Sequence, residues 1–135
     1  MRRGFADTHF YLALLNRRDS DHARAKEIFA RGEFAEFVTT TGVLLELADG
    51  MCGLAERARC IRFLDRLRGQ PTTKVVELSD ALVWRGYALY RTRPDKEWSL
   101  TDCISFVVMT DEGLTEALTG DRHFAQAGFT ALLAL

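Results

Sequence analysis

The sequence predicts an α/β protein, a three-layer α/β/α sandwich built on a five-stranded parallel sheet. Short strand-like segments alternate with helical segments along the whole chain. Parallel strands need long crossover connections, and right-handed crossovers place helices on both faces of the sheet. The chain has 135 residues, of which 47% are hydrophobic and 27% charged. Because this is the size and composition of one globular domain, we expect a single domain over residues 1–135.

Five segments have the length and apolar content of strands, and turn or capping residues lie between them and the helices. They are residues 3–7, 34–39, 74–78, 116–119 and 129–133. A first helix follows the first strand from Phe10, and a second over 21–31 has Ser20 or Asp21 as its N-cap. These two helices connect the first and second strands.

The remaining helices follow the same alternation. A helix over 42–51 comes after the second strand, and residues 55–68 form an amphipathic helix that Pro71 ends. Its inward positions are Cys60, Ile61, Leu64 and Leu67. Later helices run from Ser79 to about residue 91, from Ser99 to about residue 110, and over 122–127.

Composition and motifs exclude several functional classes. The net charge of −1 gives no overall positive field, and three cysteines without C-x-x-C spacing predict neither a disulfide framework nor a zinc knuckle. The longest apolar run, 10–15, is too short to cross a bilayer, so we expect a cytoplasmic protein without membrane contact. Nucleotide-binding glycine motifs, a G-x-S-x-G elbow and H-x-x-x-H spacing are all absent from the sequence. We interpret His123 as a structural or substrate-contacting residue.

Four acidic residues lie where the carboxyl edge of the sheet is expected. Asp7 and Asp121 end the first and fourth strands, Glu46 lies in the helix after the second strand, and Asp102 lies in the first turn of the helix that begins at Ser99. Each has a simple structural explanation as a helix cap, as part of a capping box or as a solvated helix residue. Four like charges at one edge repel one another, at several kcal/mol for a pair about 5 Å apart at an effective dielectric constant of roughly 10–20.

This repulsion is relieved by protonation or by a bound cation. Oxygen donors with incomplete protein coordination suit Mg²⁺ or the chemically similar Mn²⁺, which keep water ligands and accept substrate phosphate oxygens. Such an ion activates water for in-line attack on a phosphodiester and neutralises the developing charge. The four acids therefore predict phosphodiester hydrolysis.

Four segments of the chain together carry a family resemblance. They are FADTHFYLALLNRR, TTGVLLELADG, KEWSLTDCISFVVM and TGDRHFAQAGF, in this order between Phe5 and Phe129. These segments resemble the successive motifs of PIN-domain proteins, especially the small VapC-like toxins of toxin–antitoxin pairs. The resemblance implies a PIN-like sheet with strand order 3-2-1-4-5.

The resemblance also implies a set of site residues. The acidic quartet of the family falls on Asp7, Glu46, Asp102 and Asp121. Asp7, Asp102 and Asp121 are implied to bind one or two Mg²⁺ or Mn²⁺ ions, and Glu46 to act through water. Thr119 is implied to orient a water at the site, while His9 occupies a position where serine is frequent in the family.

By the same resemblance, the chain is expected to be a Mg²⁺- or Mn²⁺-dependent endoribonuclease, the toxin that a cognate antitoxin inhibits. A homodimer is also expected, with apolar surface from the helix of Trp84 and Tyr87 or from the region of Phe10. Two alternatives remain open from the residues themselves. One is a DNA or structure-specific nuclease with the same acids, and the other is a non-catalytic PIN-like binding module.

Arginine supplies 15 of the 18 positive charges and suits bidentate phosphate recognition. Two groups are candidate contacts to the RNA backbone. They are Arg17 and Arg18, after the first helix, and Arg59, Arg62 and Arg66, on the outer stripe of the helix over 55–68. The stripe is more typical of a solvated helix face than of an RNA contact.

Overall fold

The computed structural model describes residues 1–134, so Leu135, the last residue of the predicted domain, lies outside the described residues. Strands and helices alternate as predicted. In chain order they are β1 Arg3–Ala6, α1 Thr8–Leu15, α2 His22–Ala30, β2 Glu36–Thr40, α3 Thr41–Gly50, α4 Leu54–Arg68, β3 Thr73–Val76, α5 Asp80–Thr92, α6 Leu100–Asp111, β4 Glu116–Leu118, α7 Arg122–Gln126 and β5 Thr130–Ala131. A 3₁₀ turn over Leu132–Ala134 follows the last strand.

The five strands are all parallel in the order β3-β2-β1-β4-β5, which confirms the predicted topology. Phe5 of β1 pairs with Val38 of β2 and with Ala117 of β4, so β1 is the central strand. Because the crossovers are right-handed, helices α1, α2, α3 and α4 cover one face of the sheet, and helices α5, α6 and α7 cover the other. Contacts agree, because α1 packs on α2 and α3, whereas α6 packs on α5 and α7.

Aromatic side chains fill the core on both faces of the sheet. Phe10 of α1 stacks on Phe37 of β2 on one face, with ring centroids 6.0 Å apart. On the other face, Phe106 of α6 contacts Phe124 of α7 edge-on at 4.9 Å. Phe5, between them, is fully buried, as expected for a parallel strand covered by helices on both sides.

Two details of the predicted elements are wrong. The last strand spans only Thr130–Ala131, because its partner β4 has three residues and the chain then turns so that the amide of Leu133 donates to the Thr119 carbonyl at 3.0 Å. Ile61 is 53% exposed rather than inward. The packed stripe of α4 runs through residues 60, 63, 64 and 67, and Phe63 reaches the ring of Tyr11 at 5.3 Å.

Only one of the two predicted sources of dimer surface lies on the surface. Phe10 is 1% exposed and belongs to the core, so its side chain cannot form part of a dimer surface. Trp84 and Tyr87, on the outer side of α5, are 59% and 40% exposed. Within residues 1–134, no helix has both the length and the apolar content needed to span a membrane.

Candidate metal centre

Asp7 and Thr119 meet at the carboxyl edge of the two central strands. Because Ala6 pairs with Leu118, the next residues of β1 and β4 lie side by side. Thr119 Oγ1 donates to Asp7 Oδ2 at 2.9 Å, and the Asp7 side chain is buried, at 6% exposure. Asp7 occupies the N-cap position of α1 but makes no side-chain capping hydrogen bond. The simple explanation of Asp7 as a helix cap therefore fails.

Burial raises the pKa of Asp7 from its ordinary value of 3.8 to about 7. The hydrogen bonds from Thr119 and from the Thr8 backbone lower this pKa, but the charges of Asp102 and Glu46 raise it further. The electrostatic effect shows that Asp102 and Glu46 lie close to Asp7 although they are distant in sequence. At this pKa roughly half of the Asp7 side chains are protonated at neutral pH, and a cation bound beside Asp7 would favour the ionised form.

Asp102 and Asp121 are held by the caps of two helices. In α6, Asp102 completes a capping box, in which its amide donates to Ser99 Oγ at 3.0 Å and its Oδ2 accepts from the Ser99 amide at 3.1 Å. At the start of α7, Asp121 Oδ1 accepts from the His123 amide at 2.9 Å. The capping explanation holds for both acids, and the same caps point the two carboxylates toward one place.

His123 lies between these two carboxylates. Its Nδ1 is 3.0 Å from Asp102 Oδ2 and 3.3 Å from Asp121 Oδ1. One ligand atom from each of the three side chains lies within 4.8 Å of the other two, as in a metal-binding cluster. The three are partly buried, so the cluster is open to solvent on one side.

Glu46 reaches the site from the second turn of α3. This helix begins at Thr40, whose hydroxyl accepts from the Val43 amide at 3.1 Å. Glu46 is an exposed residue, yet its Oε1 accepts a hydrogen bond from Thr8 Oγ1 at 2.5 Å. Thr8 follows Asp7 directly, so Glu46 is fixed to the neighbour of the buried acid.

The structure thus brings together all four predicted acids and Thr119. Two further residues, Thr8 and His123, contact these acids and are absent from the site set that the sequence predicts. A signal for each exists in the sequence, namely a hydroxyl residue directly after the first acid and D-x-H spacing at the start of a helix. The donor set of carboxylate oxygens with one imidazole nitrogen fits a divalent cation such as Mg²⁺ or Mn²⁺.

The two predicted groups of arginines are neighbours on the face of α1 to α4. Arg59 Nη1 donates to the carbonyl oxygen of Leu15 at 2.9 Å, which brings the start of α4 to the end of α1. Arg17 and Arg18 follow that end directly, and both are exposed. Arg62 and Arg66 are exposed farther along α4.

Comparison with known proteins agrees with this geometry. The PIN domain family matches residues 5–130. The chain belongs to the PIN-domain family. It is 34% identical over 130 residues to the "23S rRNA-specific endonuclease VapC20" of Mycobacterium tuberculosis, an alignment that covers 93% of this chain and 94% of that protein.

Three solved structures superpose on nearly the whole chain. The crystal structure of Mycobacterium tuberculosis VapC20, described as a sarcin–ricin loop cleaving toxin, aligns with a TM-score of 0.84 and 26% identity over 93% of this chain and 95% of that one. VapBC2 from Rickettsia felis, bound to a promoter DNA fragment, aligns with a TM-score of 0.67 and 13% identity over 96% of both chains. FitAcB from Neisseria gonorrhoeae aligns with a TM-score of 0.65 and 16% identity over 94% of both chains. The last two similarities show the shared fold.

Proposed function

We propose that this protein is a Mg²⁺- or Mn²⁺-dependent endoribonuclease and the toxin of a toxin–antitoxin pair. The observation that carries the proposal is the convergence of Asp7, Asp102, Asp121 and Glu46, from four separate segments, on one edge of the sheet. The buried Asp7, whose pKa is raised to about 7, would be stabilised in its ionised form by a bound cation, which supports a metal at this edge. Similarity to an rRNA-specific endonuclease over 93% of the chain supports the same activity. We assign the activity to one domain over residues 1–135.

The proposed mechanism gives each side chain a distinct task. Asp7, Asp102 and Asp121 bind the ion, and Glu46 acts through water. A Mg²⁺ or Mn²⁺ ion bound there supplies Lewis acidity toward the phosphodiester and activates water for attack. Thr119 fixes the Asp7 carboxylate through its 2.9 Å hydrogen bond. Thr8 fixes Glu46 in the same way, so that neither acid depends on the ion for its orientation.

The arginines near the α1–α4 contact are the proposed RNA-binding surface. Several arginines elsewhere pair with acids, as Arg85 does with Asp111 at 2.6 Å and Arg2 with Glu116 at 2.9 Å. Within residues 1–134, Arg59 instead donates to the backbone carbonyl of Leu15, which leaves its charge available to phosphate. Phosphate contacts make binding depend on salt, with a slope near −0.7 per contact for single strands. The double substitution Arg59→Ala with Arg62→Ala should therefore weaken RNA binding and flatten this salt dependence.

Cleavage of 23S rRNA is the first assay, because that is the substrate named for the similar Mycobacterium tuberculosis protein. The purified full chain with Mn²⁺ or Mg²⁺ is expected to cut rRNA, and EDTA and Asp102→Asn are each expected to abolish cutting. Asp49→Asn, at an exposed acid of α3, is the matched control and should retain activity. Equal cleavage of DNA of the same sequence would favour the DNA nuclease instead. Full activity of Asp102→Asn would refute the proposed site, and a chain with neither cleavage nor Mn²⁺ binding would be a binding module.

The proposed partners are RNA, a cognate antitoxin protein and a second copy of the chain. With RNA as the proposed substrate, we expect the protein to act in the cytoplasm and away from membranes. The outer side of α5, with Trp84 and Tyr87 exposed, is the proposed dimer surface. Sedimentation equilibrium should show a dimer that Trp84→Ser weakens, and a wild-type monomer at micromolar concentration would contradict it.

A further inference from the structure

We propose that His123 is a direct ligand of the active-site metal through Nδ1, and that this nitrogen makes the site prefer Mn²⁺ to Mg²⁺. The inference rests on the metal centre proposed above and adds a residue outside the acidic quartet. It is carried by the position of the ring between two carboxylates, at 3.0 Å from Asp102 Oδ2 and 3.3 Å from Asp121 Oδ1.

These separations fit neighbouring ligands on one ion. An octahedral ion with bonds of about 2.1 Å holds adjacent ligand atoms about 3.0 Å apart, since the edge is the bond length multiplied by the square root of two. The distances from His123 Nδ1 to the two oxygens agree with that edge to within a few tenths of an ångström. Nδ1 and each of the two carboxylate oxygens are therefore spaced as adjacent ligands of one ion.

The imidazole is not needed to satisfy the oxygen it approaches. Asp102 Oδ2 already accepts a hydrogen bond from the Ser99 amide at 3.1 Å, within the capping box of α6. Likewise, Asp121 Oδ1 already accepts from the His123 backbone amide at 2.9 Å. Both carboxylates therefore keep a backbone donor if Nδ1, in the tautomer that carries its proton on Nε2, exchanges its 3.0 Å contact with Asp102 Oδ2 for an ion.

The position of the ring is set before any ion binds. His123 is the second residue of α7, and the neighbouring Phe124 is fully buried against Phe106 and anchors the helix. The Asp121 cap fixes the backbone from which the imidazole projects. A ligand that is already in place loses little conformational entropy on binding.

A nitrogen donor changes which ion binds best. Carboxylate and water ligands suit Mg²⁺ and Mn²⁺ alike, but imidazole favours first-row transition ions over the harder Mg²⁺. A site with three or more carboxylates and one imidazole should therefore discriminate against Mg²⁺. Loss of the nitrogen should remove the discrimination while leaving the acids able to bind either ion.

The other histidines provide controls. His9 lies in a separate cluster, where its Nε2 is 2.9 Å from Asp21 Oδ2. Among the described residues His22 belongs to neither cluster, and its Nδ1 contacts the carbonyl oxygen of Ala13 at 2.7 Å. His123→Asn is the informative variant because an asparagine amide can still donate to Asp102 from near the Nδ1 position but offers no imidazole nitrogen.

The experiment is electron spin-echo envelope modulation of Mn²⁺ bound to the full chain, with Mn²⁺ and Mg²⁺ affinities from calorimetry. Wild-type protein and His22→Asn are expected to show ¹⁴N modulation from a directly bound nitrogen. In His123→Asn the ¹⁴N modulation should disappear, and the ratio of Mn²⁺ affinity to Mg²⁺ affinity should fall at least tenfold. The melting temperature of this variant in EDTA should be unchanged.

Three results would overturn the inference. Wild-type protein with bound Mn²⁺ and no ¹⁴N modulation would exclude a nitrogen ligand, and rRNA cleavage by that protein would leave the proposed nuclease intact. Loss of the modulation in His9→Asn instead of His123→Asn would assign the nitrogen to the other cluster. Wild-type protein that binds no Mn²⁺ would overturn both this inference and the proposed metal centre.

Discussion

Asp7→Asn should stabilise the metal-free protein at neutral and alkaline pH, even though it removes a proposed metal ligand. Asp7 is buried with its pKa raised to about 7, because burial and the charges of Asp102 and Glu46 oppose its ionisation. Asparagine has nearly the same shape and can still accept the hydrogen bond of Thr119. The substitution therefore removes the unfavourable charge and little else.

The size of the gain follows from the two pKa values. In the unfolded chain Asp7 ionises near 3.8, and in the folded protein near 7. Between these values the folded state binds more protons than the unfolded state, so stability falls as the pH rises from about 4 to about 7. At about 1.4 kcal/mol per pKa unit, the cost of ionisation above pH 7 reaches roughly 4 kcal/mol. Allowing for relaxation around the charge, we expect a gain of about 2–4 kcal/mol for Asp7→Asn at pH 8.

Urea denaturation of both proteins in EDTA, at pH 4.5 and pH 8, measures this gain. The two midpoints should lie closer together at pH 4.5, where the cost of ionisation is about 1 kcal/mol, and separate further at pH 8. With Mn²⁺ above about 1,000 times Kd the order should reverse, because the ion then stabilises the protein that binds it by about 4 kcal/mol, from RT ln(1 + [Mn²⁺]/Kd). A loss of stability for Asp7→Asn at pH 8 in EDTA, or a gain equal at both pH values, would refute the assignment of Asp7 as a strained buried acid.

Two further predictions concern packing and positioning. Gly86→Ala should destabilise the protein by about 1–3 kcal/mol in urea denaturation, because a Cβ there would lie 2.4 Å from Ile104 Cγ1 and also near the backbone of α6. Gly50→Ala, with no atom within 4 Å of its new Cβ, is the control and should change stability by less than about 1 kcal/mol; equal effects would contradict the close contact of α5 and α6. Thr8→Val should lower cleavage and Mn²⁺ affinity without loss of stability, because it frees Glu46 from its 2.5 Å hydrogen bond. Unchanged Mn²⁺ affinity and cleavage would show that Glu46 needs no positioning.

The sequence predicts well those features of the fold that depend on neighbouring residues in the chain. Strand and helix order follow from hydrophobic periodicity, and the caps at Ser79 and Ser99 begin α5 and α6 as predicted. The failures occur where tertiary packing decides. Ile61 and Leu64 lie three positions apart on α4, and it is Phe63, not Ile61, that packs against Tyr11 of α1, a contact that periodicity does not encode. The shortness of β5 likewise depends on the length of its partner strand.

For the site, the sequence predicts which acids converge but not the side-chain contacts among them. The convergence of the acids follows from topology, because the ends of parallel strands and the starts of the following helices share one edge of a sheet. The contacts of Thr8 and His123 depend on rotamers and on the packing of α3 and α7, which periodicity does not encode. The spacing of histidines in the sequence is uninformative for the same reason, since His123 approaches Asp102 from a different helix, 21 positions away.

Capping and metal binding are compatible roles for the same carboxylates. A capping bond fixes the rotamer of Asp102 or Asp121 by means of a backbone amide that exists with or without the ion. The site is therefore largely oriented before metal binding, and little side-chain entropy remains to be lost. Asp7 differs, because it caps nothing, is buried and is held by Thr119 alone among side chains. The stability cost of the site is thus concentrated in Asp7, and this is why substitution of Asp7, rather than of the two capping acids, should stabilise the metal-free protein.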